Sequence, residues 1–370
     1  MRVLHINCNY IGTTLHQLMI ERLEALGYEN QVFVPTYDQK LAVIQPNANV
    51  CVSECFEKWD RLFFDCKQSK ILRAVQKAFS ISSFDLIHAY TLFTDGNCAM
   101  KLAKKCNKPF VVAVRNTDVN TFFRYMPHLR RRGIEIMRSA SRIFFLSDSY
   151  RRQVFDKYVP QRYHAELLSK VCVIPNGIDD FWFKSKPEHL PAPHADELKL
   201  IFAGIIDHNK NIPTAQRAVQ ILNDKGCKVH LTVVGRVVEE KEFERIQADA
   251  NTTYIPSQPK EKLIELYRQH DIFVMPSYTE SFGLVYAEAM SQGLPVIYSK
   301  GQGFDGQFAE GAVGYHVEAG SAEEVANTVI KILEKYRQIS NTCVDSANKF
   351  NWDKICSMYD TVYKEIQGNQ

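Results

Sequence analysis

The 370-residue sequence has no Cys-x-x-Cys among its ten cysteines. Cys51 and Cys55 are the closest pair, so neither a zinc ribbon nor a dithiol redox centre is expected. The thiols read as reduced and mostly buried, as in a cytosolic protein. No uninterrupted apolar run approaches the length of a bilayer span, so no membrane-crossing helix is expected. Met1-Arg2 leads straight into Val3-Leu4-His5-Ile6, too short for the core of a secretory signal and better read as a first strand. Net charge is scarce: +3 overall does not by itself argue for nucleic acid. No G-x-x-x-x-G-K-[ST] loop is present, so ATP hydrolysis is not expected. There is no Asp-x-Asp, no internal repeat and no low-complexity stretch.

What is present reads as a soluble enzyme of two domains. The chain is long for one compact core, and its 45% hydrophobic and 24% charged residues are ordinary. In the first half, short apolar runs predict strands at 3–7, 31–34, 86–88, 110–114, 143–146 and 171–174. Between them lie amphipathic stretches such as residues 15–26, with Leu15, Leu18, Met19, Leu23 and Leu26 at helical spacing before Gly27. Strand–helix alternation implies a parallel sheet covered on both faces. Pro187, Pro191 and Pro193 then interrupt the pattern, which places an interdomain linker at 186–194. A second series follows, with strands expected at 200–203, 230–234, 272–275, 296–298 and 313–317.

The densest chemistry lies between Pro276 and Ile297. Glu280 and Glu288 stand there with seven residues between them. The apolar run 272–275 reads as a buried strand, and the run from Leu284 to Met290 reads as a helix. Glu280 therefore falls on a strand-to-helix loop and Glu288 about one turn into the helix. Gly283 lets backbone approach a ligand closely, and the new helix offers unpaired N–H groups at the same place. An anionic group flanked by hydroxyl-bearing groups fits such a site, and a nucleotide sugar has that form.

Pro276-Ser277, the Glu280-Ser281-Phe282-Gly283 run, Glu288-Ala289-Met290 and Gly293-Leu294-Pro295-Val296 together resemble the E-x7-E signature of retaining glycosyltransferases of family four. The resemblance covers nearly the whole chain. It implies the GT-B fold: an α/β protein of two Rossmann-like domains facing a cleft, with a C-terminal helix that crosses back to the first domain. Residues 1–185 with 351–370 would form the N-terminal, acceptor-side domain, and 195–350 the donor-binding domain. The family's activity is transfer of a sugar from a nucleotide sugar to an acceptor hydroxyl with retained anomeric configuration. The expected setting is surface polysaccharide or glycolipid assembly in the cytoplasm or at the inner face of a membrane. A glycan or lipid-linked acceptor is expected, without nucleic acid. No cofactor or metal is expected, in keeping with the missing Asp-x-Asp. A nucleotide-sugar epimerase of the same fold and a degenerate, non-catalytic nucleotide-sugar-binding protein are the alternatives.

The resemblance also assigns residues. Glu288 would take the ribose hydroxyls, because a carboxylate accepts two hydrogen bonds from a diol. Glu280 would orient the donor sugar. Backbone N–H groups of Phe282, Gly283 and Leu284, beside Ser281, would hold the phosphates. Lys210, with Glu280 the second candidate catalytic residue, would neutralise the departing diphosphate. Gly204 opens the phosphate-binding loop, where Ile205 occupies a place often held by arginine and Arg236 is a candidate substitute. Tyr254-Ile255 resembles the segment that meets the base, so Ile255 joins the donor-binding set. Gly12 follows the first strand, facing the diphosphate. His88, Arg115, Asn116 and Asp118 are candidates for sugar or acceptor contacts, with structural readings for His88 and, as an N-cap, for Asp118. The family's first-domain histidine is absent, with Arg115-Asn116 at its place. Val173 to Asp179 resembles the family's signature at the end of the first domain, where Asn176-Gly177 reads as a turn supplying shape.

Two further features carry their own readings. Residues 115–152 hold nine arginines, no lysine and three acids, peaking at Arg130, Arg131 and Arg132. That run is either a solvated helix face or a contact for anionic lipid headgroups. Gly301 to Gly306 matches G-x-G-x-x-G, yet it comes late in the second domain. A dinucleotide fingerprint should follow a first strand and open a long helix, so a dehydrogenase is not expected.

Overall fold

A computed structural model describes residues 1–41, 48–187, 190, 193–194 and 196–368. The chain forms two compact units, each built on one parallel sheet. The first comprises residues 1–146 and 151–177 together with the chain from Trp352 on; the second comprises 147–150 and 178–351. The division thus falls at Gly177, ahead of the proline-rich stretch, because the short helix Asp180–Lys184 packs into the second unit through buried Trp182. Of the stretch expected as a linker, residues 188, 189, 191 and 192 lie outside the described residues.

In the first unit the strands are β1 (Arg2–Ile6), β2 (Glu29–Thr36), β3 (Val50–Glu54), β4 (Leu86–Ala89), β5 (Phe110–Val114), β6 (Arg142–Phe145) and β7 (Val171–Val173). They pair in the order β3-β2-β1-β4-β5-β6-β7. The second unit holds β8 (Leu198–Ala203), β9 (Val229–Gly235), β10 (Thr252–Pro256), β11 (Ile272–Met275), β12 (Val296–Ser299) and β13 (Gly314–Val317), ordered β10-β9-β8-β11-β12-β13. In each sheet the strand order reverses once, between β1 and β4 and between β8 and β11. Crossovers leave opposite faces of the sheet on the two sides of that point, so the strand ends there border a crevice. The edge strands β3 and β10, both half-buried, were not among the strands expected from the sequence: β10 opens with Thr252-Thr253, and the apolar run of β3 is only three residues, Val50 to Val52.

The C-terminal helix Trp352–Gly368 belongs to the first unit, as the family resemblance implied. Trp352, Ile355, Cys356, Tyr359, Val362, Tyr363 and Ile366 recur at helical spacing and pack against Val3, Met19, Leu86, Val111 and Phe144. Burial of each large apolar side chain contributes roughly 1.5–3 kcal/mol. Tyr28 fastens the helix by donating to Asp360 at 2.7 Å. A Cβ on Gly177 would lie 2.6 Å from the Trp352 ring, so Gly177 serves this packing. All ten cysteines are free thiols. No described helix is long and apolar enough to cross a membrane.

Candidate functional site

The second unit brings its candidates together at the β8/β11 switch point. The loop after β8 lies against the loop after β9: Gly204 N–H donates to the Val234 carbonyl at 2.9 Å. A Cβ on Gly235 would fall 1.6 Å from the Gly204 carbonyl oxygen, so only glycine permits this approach. A short turn, His208–Lys210, follows, capped by Asp207. Asn209 then joins this turn to the loop after β11. Its side chain donates to the Thr279 carbonyl at 2.8 Å and accepts from Thr279 N–H at 3.0 Å. The Asn209 carbonyl also accepts from Tyr278 N–H at 2.9 Å.

That junction carries Lys210 to Glu280, ammonium to carboxylate at 2.5 Å, with both side chains largely buried. Glu280 is fixed from a third direction, because its N–H donates to the Gln302 side chain at 2.9 Å. Gly303 N–H donates to the Glu280 carbonyl at 2.8 Å. Asn209 and Gln302 were missed in the sequence: Asn209 belongs to no spacing pattern, and Gln302 is a variable position of the glycine motif. Only the fold shows that each bridges two loops.

Gly283 begins the helix Leu284–Ser291 with φ of 74°, in the left-handed region. The Tyr286 ring sits 2.4 Å from where its Cβ would be. The turn buries Phe282 against Phe350, with centroids 5.4 Å apart, and leaves the first N–H groups of the helix without helical acceptors. Ser281 and Leu284, on either side, are half-buried.

Glu288, one turn on, has a different environment. Among the described residues its carboxylate makes no hydrogen bond or ion pair. Burial pushes its pKa up to about 7, and nearby Asp179 pushes the same way while Lys260 opposes. Asp179 and Lys260 pair with each other at 2.6 Å. Glu280 is thus paired with a cation, whereas Glu288 is half-buried and carries no such pair among the described residues.

Beside these groups lies a cavity of about 300 Å³ with Gly204, Ile205, Val234, Arg236, Leu263 and Val285 in its walls. Ile205 and Arg236 therefore face the same space. Ser257 and Gln258, just past β10, also line it. Ile255 instead lies within β10, paired to Val234, and does not line this cavity.

In the first unit the candidates separate. Gly12 and Asp118 line a cavity of about 580 Å³ beyond the strand ends. A Cβ on Gly12 would meet nothing within 4 Å, so no close approach in this structure requires glycine there. Asp118 caps no helix of its own. It accepts from Leu92, Phe93 and Arg115 N–H groups at 2.9, 3.1 and 2.8 Å, and so fixes the turn after β4. Burial raises its pKa to about 6 despite those donors. Arg115 donates to Asn176 at 3.1 Å, and Asn116 accepts from Asn120.

Of its two readings, His88 takes the structural one, as a core residue. It is fully buried, bonded to the Tyr363 hydroxyl of the C-terminal helix at 2.5 Å and stacked on Tyr90 at 4.3 Å. Burial holds its pKa well below the usual range.

The arginine run also divides. Arg130 donates to the Phe123 carbonyl at 2.7 Å and lies over the Tyr158 ring. Arg132 donates to Asn97 at 2.9 Å and pairs with Glu135 at 3.5 Å. Arg131 is the exposed member. Gly301 to Gly306 follows β12 as a series of turns and opens no helix, which removes the dinucleotide fingerprint. Within it, Asp305 accepts from Gly301 N–H at 2.7 Å and meets His316 at 3.1 Å. Asp305, Glu310 and His316 bring ligand-type atoms within 4.8 Å of one another, the one such trio among the described residues. Their mutual bonds account for the arrangement as a clasp on the glycine loop.

Comparison with known proteins gives the site its context. Residues 12–180 match the model of Glycosyltransferase Family 4, and residues 186–350 match that of Glycosyl transferases group 1. The D-inositol 3-phosphate glycosyltransferase of Paenarthrobacter aurescens is 23% identical over 304 residues, 76% of this chain and 73% of that protein. Sucrose-phosphate synthase from Thermosynechococcus elongatus has a similar structure, with a TM-score of 0.76 at 18% identity and both chains fully covered. Anabaena HepE in complex with UDP-glucose is also similar, with a TM-score of 0.69 at 15% identity over 99% of this chain and 100% of that one.

Proposed function

Because the chain belongs to glycosyltransferase family four, a family of glycosyl-transferring enzymes with the GT-B fold, we propose that it moves a sugar from a nucleotide-sugar donor to an acceptor hydroxyl with retained anomeric configuration. The observation that carries this reading is the contrast between the two glutamates. Glu288 offers an unpartnered carboxylate one helical turn from a free helix N-terminus. A ribose diol fits the first and a diphosphate the second. The similar HepE structure holds UDP-glucose, which agrees with a nucleotide-sugar donor.

The Lys210–Glu280 pair sets a cation directly beside a carboxylate. The ammonium offsets charge that grows on the diphosphate as the glycosidic bond breaks, and the carboxylate receives donor-sugar hydroxyls. No side chain is assigned as nucleophile; the departing phosphate would help take the acceptor proton. Where the family often has arginine, Ile205 is 39% exposed, and Arg236 supplies a cation to the same cavity. A glycan or lipid-linked acceptor, in surface polysaccharide or glycolipid assembly, completes the reading. A peripheral contact with anionic membrane would rest on Arg131 rather than on the whole arginine run.

Calorimetric titration with UDP and with GDP tests the donor side. Tight binding of one of them is expected. A folded protein that binds neither would contradict the reading for both donor classes.

A further inference from the structure

The first-unit cavity is lined by two cations, Lys67 and Arg61, that form no ion pair among the described residues. Lys67 projects from the helix Phe64–Ala78 and is half-buried. Its ammonium approaches the Thr94 hydroxyl only at 3.5 Å and lies 4.8 Å from the Phe56 ring centroid. Arg61 lies over the Tyr37 ring at 5.9 Å. Neither cation has a carboxylate within ion-pair distance among the described residues. Both line the cavity of about 580 Å³, together with the hydroxyls of Thr13, Thr91 and Thr94.

The acids nearby are occupied. Asp95 accepts from Cys8 N–H at 3.3 Å and from the Thr91 hydroxyl at 3.0 Å, and burial pushes its pKa up to about 7. Asp118 spends both oxygens on backbone N–H groups. Taking an ammonium out of water without a partner is unfavourable. Burial accordingly lowers the Lys67 pKa. A cavity with cations on its wall, hydroxyls beside them and its carboxylates engaged by N–H and O–H donors is complementary to an anion.

We propose that this cavity binds a phosphate or carboxylate group of the acceptor between Lys67 and Arg61. The proposal rests on the transferase reading only for the word acceptor; the anion site itself is measurable without transfer. The anion has two sources. Arg61 shares its short turn with Trp59 and Leu62, which are 75% and 73% exposed and precede Phe63 at 65%. Large exposed apolar groups beside cations also suit a lipid headgroup.

Competitive acetylation of the full chain, read by mass spectrometry at Lys67, tests the site. The probes are inorganic phosphate against chloride at equal ionic strength, and phosphatidylglycerol against phosphatidylcholine vesicles. Lys67 acetylation should slow by about ten-fold when the probe is at ten times its dissociation constant. Lys70, already paired with Asp60 at 2.7 Å, should not change. Arg61→Gln, a surface change, should remove the protection. Protection by free phosphate supports a soluble anionic acceptor, and protection by anionic vesicles alone supports a lipid-borne one. Equal Lys67 labelling under all conditions overturns the proposal. UDP calorimetry on the same sample reports the donor site separately, so failure of one reading does not hide failure of the other.

Discussion

Glu280 and Glu288 have the same chemistry in the sequence and different chemistry in the fold. Glu280 is matched by Lys210 at 2.5 Å, so removing one partner strands the other in a mostly buried position. Lys210→Met should destabilise the protein by about 3 kcal/mol in urea denaturation, and the added change Glu280→Gln should recover much of that loss. Both variants should transfer no sugar at a useful rate. Glu288 has no such partner, and its pKa near 7 makes its ligand role depend on pH. Only the ionised form accepts two hydroxyl donors, so nucleotide binding should strengthen as pH rises from 6 to 8, by about ten-fold if the ionised form alone binds. Glu288→Gln should flatten that profile apart from the titration of the nucleotide itself. A profile unchanged by this substitution would remove Glu288 from the site.

At the scale of elements, the strand–loop–helix unit from β11 to Ser291 was legible because its signals are local: four apolar residues, a glycine, then a helical run. Gly283 holds a backbone conformation that other residues adopt at a cost, with Tyr286 packed where a Cβ would go. Gly283→Ala should therefore lower stability by about 1–3 kcal/mol and weaken nucleotide binding by displacing the helix N-terminus, as denaturation and calorimetry would show. Less local features were not legible. Asn209 and Gln302 act across loops far apart in sequence, and β3 and β10 are half-buried edge strands with apolar runs of three residues or fewer. His88 was a contact candidate only through the family resemblance, and its place at the end of a predicted strand already favoured a structural role. The residue that buries it, Tyr363, is 275 positions away.

Over the whole molecule, buried ionisable groups set the response to pH. Burial lowers His5 to about 4 and His16 to about 3, with Arg115 and His5 adding to the effect on His16. These histidines stay neutral when folded but take up protons in the unfolded chain near pH 6.5. The stability they contribute is present above that pH and lost as pH falls toward their folded values. Asp95, Asp118 and Glu288 have raised values, about 7, 6 and 7, and pull the other way. Their folded forms gain protons first, so acidification to pH 5 favours the folded state at these sites. The total dependence between pH 7 and 5 should be shallow. His16→Leu should uncover one side of the balance: relative to the parent, the variant should gain about 2 kcal/mol between pH 7.5 and 5 in denaturation experiments. The two-unit α/β architecture was readable from alternating runs along the chain. The balance of buried charges was not, because each value depends on neighbours that only the fold supplies.

The most direct test of the central claim compares a ribonucleoside diphosphate with its 2′-deoxy form, each titrated by calorimetry into the parent protein and into Glu288→Ala. If Glu288 holds the ribose diol, the parent should prefer the ribo form by about ten-fold or more, the scale of a hydrogen bond to a charged group. The variant should bind both forms equally and more weakly than the parent binds the ribo form. A preference that survives in a folded Glu288→Ala protein would contradict the placement of the donor at this site.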